Sequence, residues 1–308
     1  MANRILIAGG SGLVGSELTA FLIKQGHLVR WLSRTPKVYQ HIVECFSWNP
    51  EDLSIDENAL QGVDIIINLT GESIAGGRWT KKRKNSILES RVNSIKTIVN
   101  ALKRLNHKPK LWINASAIGI YGDQGEKILD EESQFMGTDF LSKTVQEWEN
   151  YSVEQISPVV ERLILSRIGL VVSEKGGFLR KLMSTNKFGA TIGFGPGKSY
   201  CSWIHIKDLT SIFHFLINNE QSEGVFNITS PNPIKMCDLL SKIHELNPCS
   251  KIKITLPAGL IKIILGEMSD VLLSGNYVIP LKLIQYKYNF NIIQIDEAIL
   301  EIVDSQKI

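Results

Sequence analysis

Arg4-Ile5-Leu6-Ile7-Ala8-Gly9-Gly10-Ser11-Gly12-Leu13-Val14-Gly15 is the stretch that decides the fold of this 308-residue chain. The apolar run from Ile5 to Ala8 reads as a strand buried on both faces, and Gly9, Gly12 and Gly15 then recur at every third position. Beyond them Leu18, Phe21 and Leu22 mark one face of an amphipathic helix that ends at Gln25-Gly26-His27. Strand, glycine turn and helix in this order form a dinucleotide-binding unit. Gly9 permits the tight turn, Gly12 lets the backbone approach a pyrophosphate, and Gly15 lets helix and strand pack closely. The free N–H groups at the helix start, from Ser11, Leu13 and Val14 onward, then face the phosphates.

Working outward, strand signals recur at residues 27–32, 64–69, 110–115 and 160–168, with helical segments at 12–25, 82–105 and 138–155 between them. Right-handed crossovers between such strands build an α/β fold, a Rossmann-type doubly wound parallel sheet with helices on both faces. From about residue 175 the periodicity loosens. Gly176-Gly177 opens a helix, Gly193-Phe194-Gly195-Pro196-Gly197 reads as a loop, and several short helices follow from 235 to 303. The expected division is a dinucleotide-binding domain over 1–175, with some later segments returning to it, and a smaller substrate lobe over 176–308.

Composition narrows the class. Hydrophobic residues make up 44% and charged residues 21%, the balance of an ordinary globular protein. A net charge of +3 gives no reason to expect a nucleic-acid partner. The cluster Lys81-Lys82-Arg83-Lys84 is either a solvated helix start or a contact for a phosphate-bearing ligand. No apolar stretch approaches the roughly 20 residues that span a bilayer, so no membrane partner is expected. With no secretory signal, the expected compartment is cytoplasmic. Cys45, Cys201, Cys237 and Cys249 are too scattered for metal-ligand spacing; no metal is expected, and the thiols read as reduced.

The second strand leads into Ser33-Arg34, ~20 residues past the glycine turn, where a dinucleotide site meets the adenosine ribose. An acidic residue there would accept from both ribose hydroxyls and repel a 2′-phosphate. A hydroxyl beside a guanidinium does the opposite: Arg34 can pair with the phosphate as a fork while Ser33 donates beside it. The expected cofactor is NADP(H).

With these residues go Asn68-Leu69-Thr70-Gly71-Glu72-Ser73-Ile74, Arg78-Trp79-Thr80, Ser90-Arg91, Asn114-Ala115-Ser116-Ala117-Ile118-Gly119-Ile120-Tyr121-Gly122, Trp148-Glu149, Arg167-Ile168-Gly169 and Trp203-Ile204-His205-Ile206-Lys207-Asp208-Leu209. On these motifs the chain resembles an extended short-chain dehydrogenase/reductase of the nucleotide-sugar epimerase type. More narrowly, Leu265-Gly266-Glu267-Met268 and Val278-Ile279-Pro280 make it similar to the atypical epimerase-family branch with a C-terminal extension, here at about 250–300. The resemblance implies that the backbone of Leu69, Thr70 and Gly71 passes the cofactor riboses, that Arg91 contacts the cofactor, and that Ser116 is the active-site serine. An ion pair of Arg91 with Glu89 or Glu72 is the alternative for that side chain. It further implies a tyrosine and, four residues later, a lysine on one helix face, the ammonium lowering the phenol's pKa for proton exchange. The chain departs here: one register offers Phe140 and Thr144, the other Asp139 and Lys143. Tyr121 is the possible substitute acid, so Ser116, Tyr121 and Lys143 are the catalytic candidates.

Asp208 reads as the N-cap of a helix over 209–217, with His205 holding the loop or, less in keeping with its surroundings, acting as an acid/base. Arg180, Lys181 and the 193–197 loop are candidate substrate contacts. The expected function is an NADP-dependent oxidoreductase or epimerase acting on a small, polar, nucleotide-sugar-like substrate; the alternative is an NADPH-binding regulatory or scaffold protein without redox turnover. A homodimer through the helices at 82–105 and 138–155 is possible on the same resemblance.

Overall fold

The computed structural model describes residues 2–39, 41–134 and 136–305; the outermost residues of the two expected domains lie outside this set. The elements that position the site are β1 (Arg4–Ala8), α1 (Leu13–Lys24), β2 (Leu28–Ser33), β3 (Glu44–Asn49), β4 (Ser54–Ile55), β5 (Ile65–Asn68), α2 (Lys81–Leu105), β6 (Leu111–Ala117), α3 (Phe140–Ile156), β7 (Arg162–Ile168), β8 (Ala190–Phe194), α4 (Ile206–Asn218), β9 (Gly224–Ile228), α5 (Met236–Leu246), β10 (Ile252–Leu256), α6 (Ala258–Leu265) and α7 (Ile295–Ser305). Eight strands form one sheet in the order β9-β7-β6-β5-β1-β2-β3-β4, parallel except for the short antiparallel β3–β4 pair. From β1 the chain builds outward through β2 and β3, then crosses back to lay β5 on β1's other side. The carboxyl ends of β1 and β5 therefore flank a crevice where the winding reverses, the place such sheets bind ligands.

Alternation along β1 sends Ile5 and Ile7 to one face and Leu6 and Ala8 to the other. The first pair packs with Leu18 and Leu22 of α1 and Leu209, Phe213 and Leu216 of α4. The second packs with Ile95, Ile98 and Leu102 of α2 and Trp148 of α3. Both faces are thus covered, which is why β5 reads as an unbroken apolar run. A separate apolar cluster joins α5, α7 and the helix at Gly177–Leu182 around Trp203.

Three strands of the eight-stranded sheet, β3, β4 and β9, lie outside the sequence expectation, as does the β8–β10 pair. β3 hides behind the polar alternation of Glu44-Cys45-Phe46-Ser47, and β9 comes from deep in the second half to pair with β7. The expected 193–197 loop also begins too early, because Gly193 and Phe194 close β8, paired with Thr255 and Leu256 of β10. The helix expected over 209–217 starts at Ile206. Its N-cap is His205, whose Nδ1 accepts from the Lys207 N–H at 3.3 Å. Asp208, fully buried in the first turn, instead accepts from the backbone N–H groups of Asn291 (2.6 Å) and Ile292 (2.8 Å) and from the Asn291 side chain. It fastens the C-terminal region to the sheet domain. Spacing suggested a cap; tertiary contacts made the carboxylate a tie.

Burial pushes His27, His205 and His214 below the ordinary imidazole value of 6.5, with His214 adding to the effect at His27. The unfolded chain then binds more protons than the folded one once the pH drops beneath about 6.5, so stability is full above that value and declines below it. The melting temperature is expected to fall from about pH 7 to pH 5 and His27→Gln to flatten the slope; a rising profile would contradict this reading.

Candidate functional site: a dinucleotide cleft at the β1–β5 switch point

At the start of α1, among the described residues, no side chain caps the first N–H groups. The N-cap is Gly12, without a side chain to cap, and the first turn holds no acidic residue. Each glycine has a distinct cause. Gly9 sits at φ +88°, with Leu69 and Thr70 against it. A Cβ on Gly15 would lie 2.3 Å from the Gly9 carbonyl oxygen, so helix and turn touch backbone to backbone. Gly10, which the every-third spacing passes over, has no room because the Trp31 indole would stand 2.4 Å from a Cβ. Gly12 meets only an ordinary 3.4 Å contact, so the protein's own packing does not require glycine there. Its open side faces the cleft.

That cleft encloses about 1010 Å³ and is lined by Gly9, Ser11, Gly12, Ser33, Arg34, Leu69, Thr70 and Gly71, among others. Eight expected cofactor contacts thus converge on one cavity from three strand ends. Leu13, Val14 and Gly15 form the first turn behind it. Ser33 accepts from the Thr35 N–H at 3.1 Å, which leaves its own proton free to donate. Arg34 is exposed at the rim, with no acidic neighbour taking up the turn after β2. Trp48 to Glu51, the end of β3 and the turn after it, line the same cleft and escaped sequence reasoning with that strand.

The floor is held from below. Asn68 is fully buried and donates through Nδ2 to Ser94 (3.1 Å) and Asn114 (3.0 Å), while its oxygen accepts from the N–H and hydroxyl of Thr70. Arg91 does not line the cleft. Its guanidinium lies under Gly71, where a Cβ would come within 2.9 Å of it, and donates to the carbonyls of Ile87 (2.7 Å) and Glu72 (3.3 Å) over the Trp148 ring. The alternative ion pair with Glu89 or Glu72 gives way to these backbone contacts. Burial lowers its pKa to about 10, so it remains charged at neutral pH.

The three catalytic candidates come from the end of β6, the turn after it and α3. Ser116, at the end of β6, donates its proton to Glu149 Oε1. Glu149 in turn is gripped by both arms of Arg167, at 2.9 Å to Nε and 2.8 Å to Nη2. Arg167 Nη1 donates to the Tyr121 hydroxyl at 2.9 Å, and that hydroxyl faces the Asp130 carbonyl (2.8 Å) and Asn227 Oδ1 (3.0 Å). Tyr121 is fully buried, its pKa raised by that burial against the opposing pull of Arg167. Burial also works against the charge on Arg167, yet the hydrogen-bonded Glu149 carboxylate carries it above its ordinary value. This chain of five side chains joins β6, α3, β7 and β9. Sequence reasoning noticed Glu149 and Arg167 only as motif letters; two opposite charges inside apolar elements were the available signal.

Glu149 also fixes which side of α3 looks toward Ser116. One and two turns earlier, that side carries Val145 and the buried Ser142; Val145 packs with Tyr121 and Ile120, and the Ser142 hydroxyl faces the Gly119 carbonyl at 2.9 Å. Lys143 is exposed on another side. Phe140 stacks edge-on with Trp79 at 5.0 Å under the Lys84 ammonium, and the Thr144 hydroxyl donates to the Phe140 carbonyl. Neither register weighed from the sequence brings a tyrosine–lysine pair, or its Asp139–Lys143 variant, next to Ser116. Lys81 and Lys82 are exposed, whereas Arg83 and Lys84 are engaged by Glu72 and Glu267. Arg180 is exposed and donates to the Glu174 carbonyl. Among the described residues, no group of His, Cys, Asp and Glu is arranged to hold a metal ion, and no helix is long and apolar enough to cross a membrane.

Comparison with known proteins agrees with this geometry. Residues 5–229 match the NAD dependent epimerase/dehydratase family, and residues 256–302 match a domain of unknown function, DUF1731. Epimerase family protein YfhF of Bacillus subtilis is 33% identical over 304 residues, covering 98% of this chain and 99% of its own. Epimerase family protein ML0860 of Mycobacterium leprae is 31% identical, over 96% and 94%. Among solved structures, human epimerase family protein SDR39U1 with NADPH superposes at a TM-score of 0.85, with 25% identity over 98% of this chain and 99% of that one. A nucleoside-diphosphate sugar epimerase from Corynebacterium glutamicum gives 0.77 and 30% identity over 98% of this chain and 58% of its own. By sequence and by fold, this chain belongs to the NAD dependent epimerase/dehydratase family, in the branch that carries a C-terminal DUF1731 domain.

Proposed function

We propose that the chain binds NADP(H) in the β1–β5 cleft and acts as an oxidoreductase on a small polar carbonyl or hydroxyl substrate. The carrying observation is that Ser33 and Arg34 line the same cavity as Gly9, Ser11 and Gly12. A donor hydroxyl and an exposed guanidinium stand where a 2′-phosphate would lie, about 20 residues beyond the turn that takes the diphosphate. The NADPH-bound human relative supports the same choice. The residues present fit the group: uncapped N–H groups for the diphosphate, an unobstructed Gly12 for close approach, and a floor held by Asn68 and Arg91. When bound, the nicotinamide supplies hydride chemistry. What the protein contributes is orientation and exclusion of water by the walls at Trp48 to Glu51 and Glu72.

Arg34→Ala is expected to weaken NADPH binding by about ten- to a hundredfold, the worth of a charge-assisted hydrogen bond, while leaving NADH affinity nearly unchanged. Calorimetric titration with both cofactors checks it. Equal losses for the two would remove the preference for the phosphorylated form.

A second reading, an NADPH-binding protein without redox turnover, is favoured by Val145 and Ser142, neither a tyrosine nor a lysine, on the Glu149 side of α3 and by the fully engaged Tyr121 hydroxyl. Following the 340 nm absorbance of NADPH across a panel of carbonyl compounds and nucleotide sugars separates the two. Consumption lost in Ser116→Ala supports the enzyme; tight binding with no consumption anywhere supports the second reading.

A further inference from the structure

We propose that the face carried by Phe188, β10 and α6 is a docking surface for an anionic lipid bilayer. Two observations converge on it. First, folding leaves its apolar side chains uncovered: Phe188 is 80% and Ile263 76% exposed, the two highest values among large apolar side chains of the described residues. Ile252, Ile254, Leu260 and Ile264 are exposed with them. Lys253 reaches across to Ser241 of α5 at 2.8 Å, so Ile252 and Ile254, its neighbours on the strand, point to the side that α5 leaves open. β10 runs through Pro257 directly into α6, in which Ile261 alone is buried. The strand lies next to Gly189, since Lys251 and Ile252 donate their N–H groups to its carbonyl, and Phe188 is therefore adjacent.

Second, the two segments that carry this face are basic, and Glu267, just past the end of α6, is held by Lys84. Residues 180–198 contain Arg180, Lys181, Lys187 and Lys198, residues 247–266 contain Lys251, Lys253 and Lys262, and neither segment contains an aspartate or a glutamate. All seven cations are exposed. Lys187 folds over the Phe188 ring at 5.0 Å, pairing an apolar tip with an ammonium. Protruding apolar side chains ringed by lysines match the boundary between acyl chains and acidic headgroups, where each half of the pattern finds its partner. A second copy of the chain is a poorer occupant, because a two-fold contact would set this cationic rim against itself. The contact is with one surface of the bilayer and needs no spanning helix, of which there is none among the described residues.

The test is co-sedimentation of the full chain with vesicles of phosphatidylcholine and phosphatidylglycerol, beside vesicles of phosphatidylcholine alone. The chain is expected to pellet with the acidic vesicles, to be released by salt, and to remain free of the neutral ones. The double variant Phe188→Glu, Ile263→Glu changes two exposed positions. It is expected to lower partitioning by about tenfold or more with unchanged melting temperature and NADPH affinity. Equal partitioning of variant and wild type, or no pelleting with acidic vesicles, overturns the proposal. So does a wild-type dimer that the double variant converts to monomer in sedimentation velocity, which would make the face a self-contact. Binding to polyglutamate without binding to vesicles would assign it to an acidic protein and equally overturn it.

Discussion

Arg167→Met is expected to cost about 3–5 kcal/mol of folding stability, because it leaves the Glu149 carboxylate inside the protein with its charge unanswered. The two side chains are 6% and 9% exposed, and their forked contact has both hydrogen bonds at or under 2.9 Å. Removing the guanidinium also takes the donor from Tyr121 and leaves Ser116 as the sole side-chain partner of Glu149 among the described residues. Chemical denaturation measures the loss. The double variant Arg167→Met, Glu149→Leu is expected to recover much of it, since an apolar pair of similar volume carries no desolvation cost. If the single variant lost under about 1 kcal/mol, the five-residue network would be a surface-like pair in energetic terms, and its role in fixing β6 to α3 would fail.

Gly15→Ala is expected to abolish useful cofactor binding, with NADPH affinity down about a hundredfold or more, equivalent to about 2.7 kcal/mol. The added methyl would stand 2.3 Å from the Gly9 oxygen and 2.7 Å from the Gly10 Cα. Both obstacles are backbone, so no rotamer change relieves them; the helix start must shift, and the N–H groups that face the diphosphate shift with it. A stability loss of about 1–3 kcal/mol is expected alongside. Gly12→Ala supplies the contrast. Its φ of −76° suits any residue and its nearest contact is an ordinary 3.4 Å, so its melting temperature is expected to stay level. NADPH affinity should nonetheless fall, because the methyl occupies the side from which a pyrophosphate approaches. Undiminished binding by Gly12→Ala would mean that the ligand does not pass there.

These expectations divide along the line between local and non-local physics. The glycine turn was readable because each of its demands is met within twelve residues: a positive φ at Gly9, a close packing at Gly15, an open side at Gly12. The buried strands were readable because a parallel sheet covered on both faces leaves no polar alternation. β3 escaped for the converse reason. It lies near the sheet's edge, and Glu44 and Ser47 interrupt its apolar positions. β9 escaped because a strand contributed by the far half of the chain carries no local mark of the sheet it will join. Asp208 has the composition and position of a cap; only the arrival of Asn291 and Ile292, more than eighty residues on, makes it a tie.

The sequence by itself determined the Rossmann-type sheet, the dinucleotide turn and the pairing of Ser33 with Arg34, because backbone conformation, periodicity and charge sign are properties of neighbouring residues. Tertiary structure alone decided that Arg91 supports the floor without lining the cleft, that Ser116, Glu149, Arg167, Tyr121 and Asn227 form one network, and that Val145 and Ser142 share the Glu149 side of α3. Those facts depend on which helix face turns inward and which distant strand stands beside it. Burial free energy summed over the whole chain sets both.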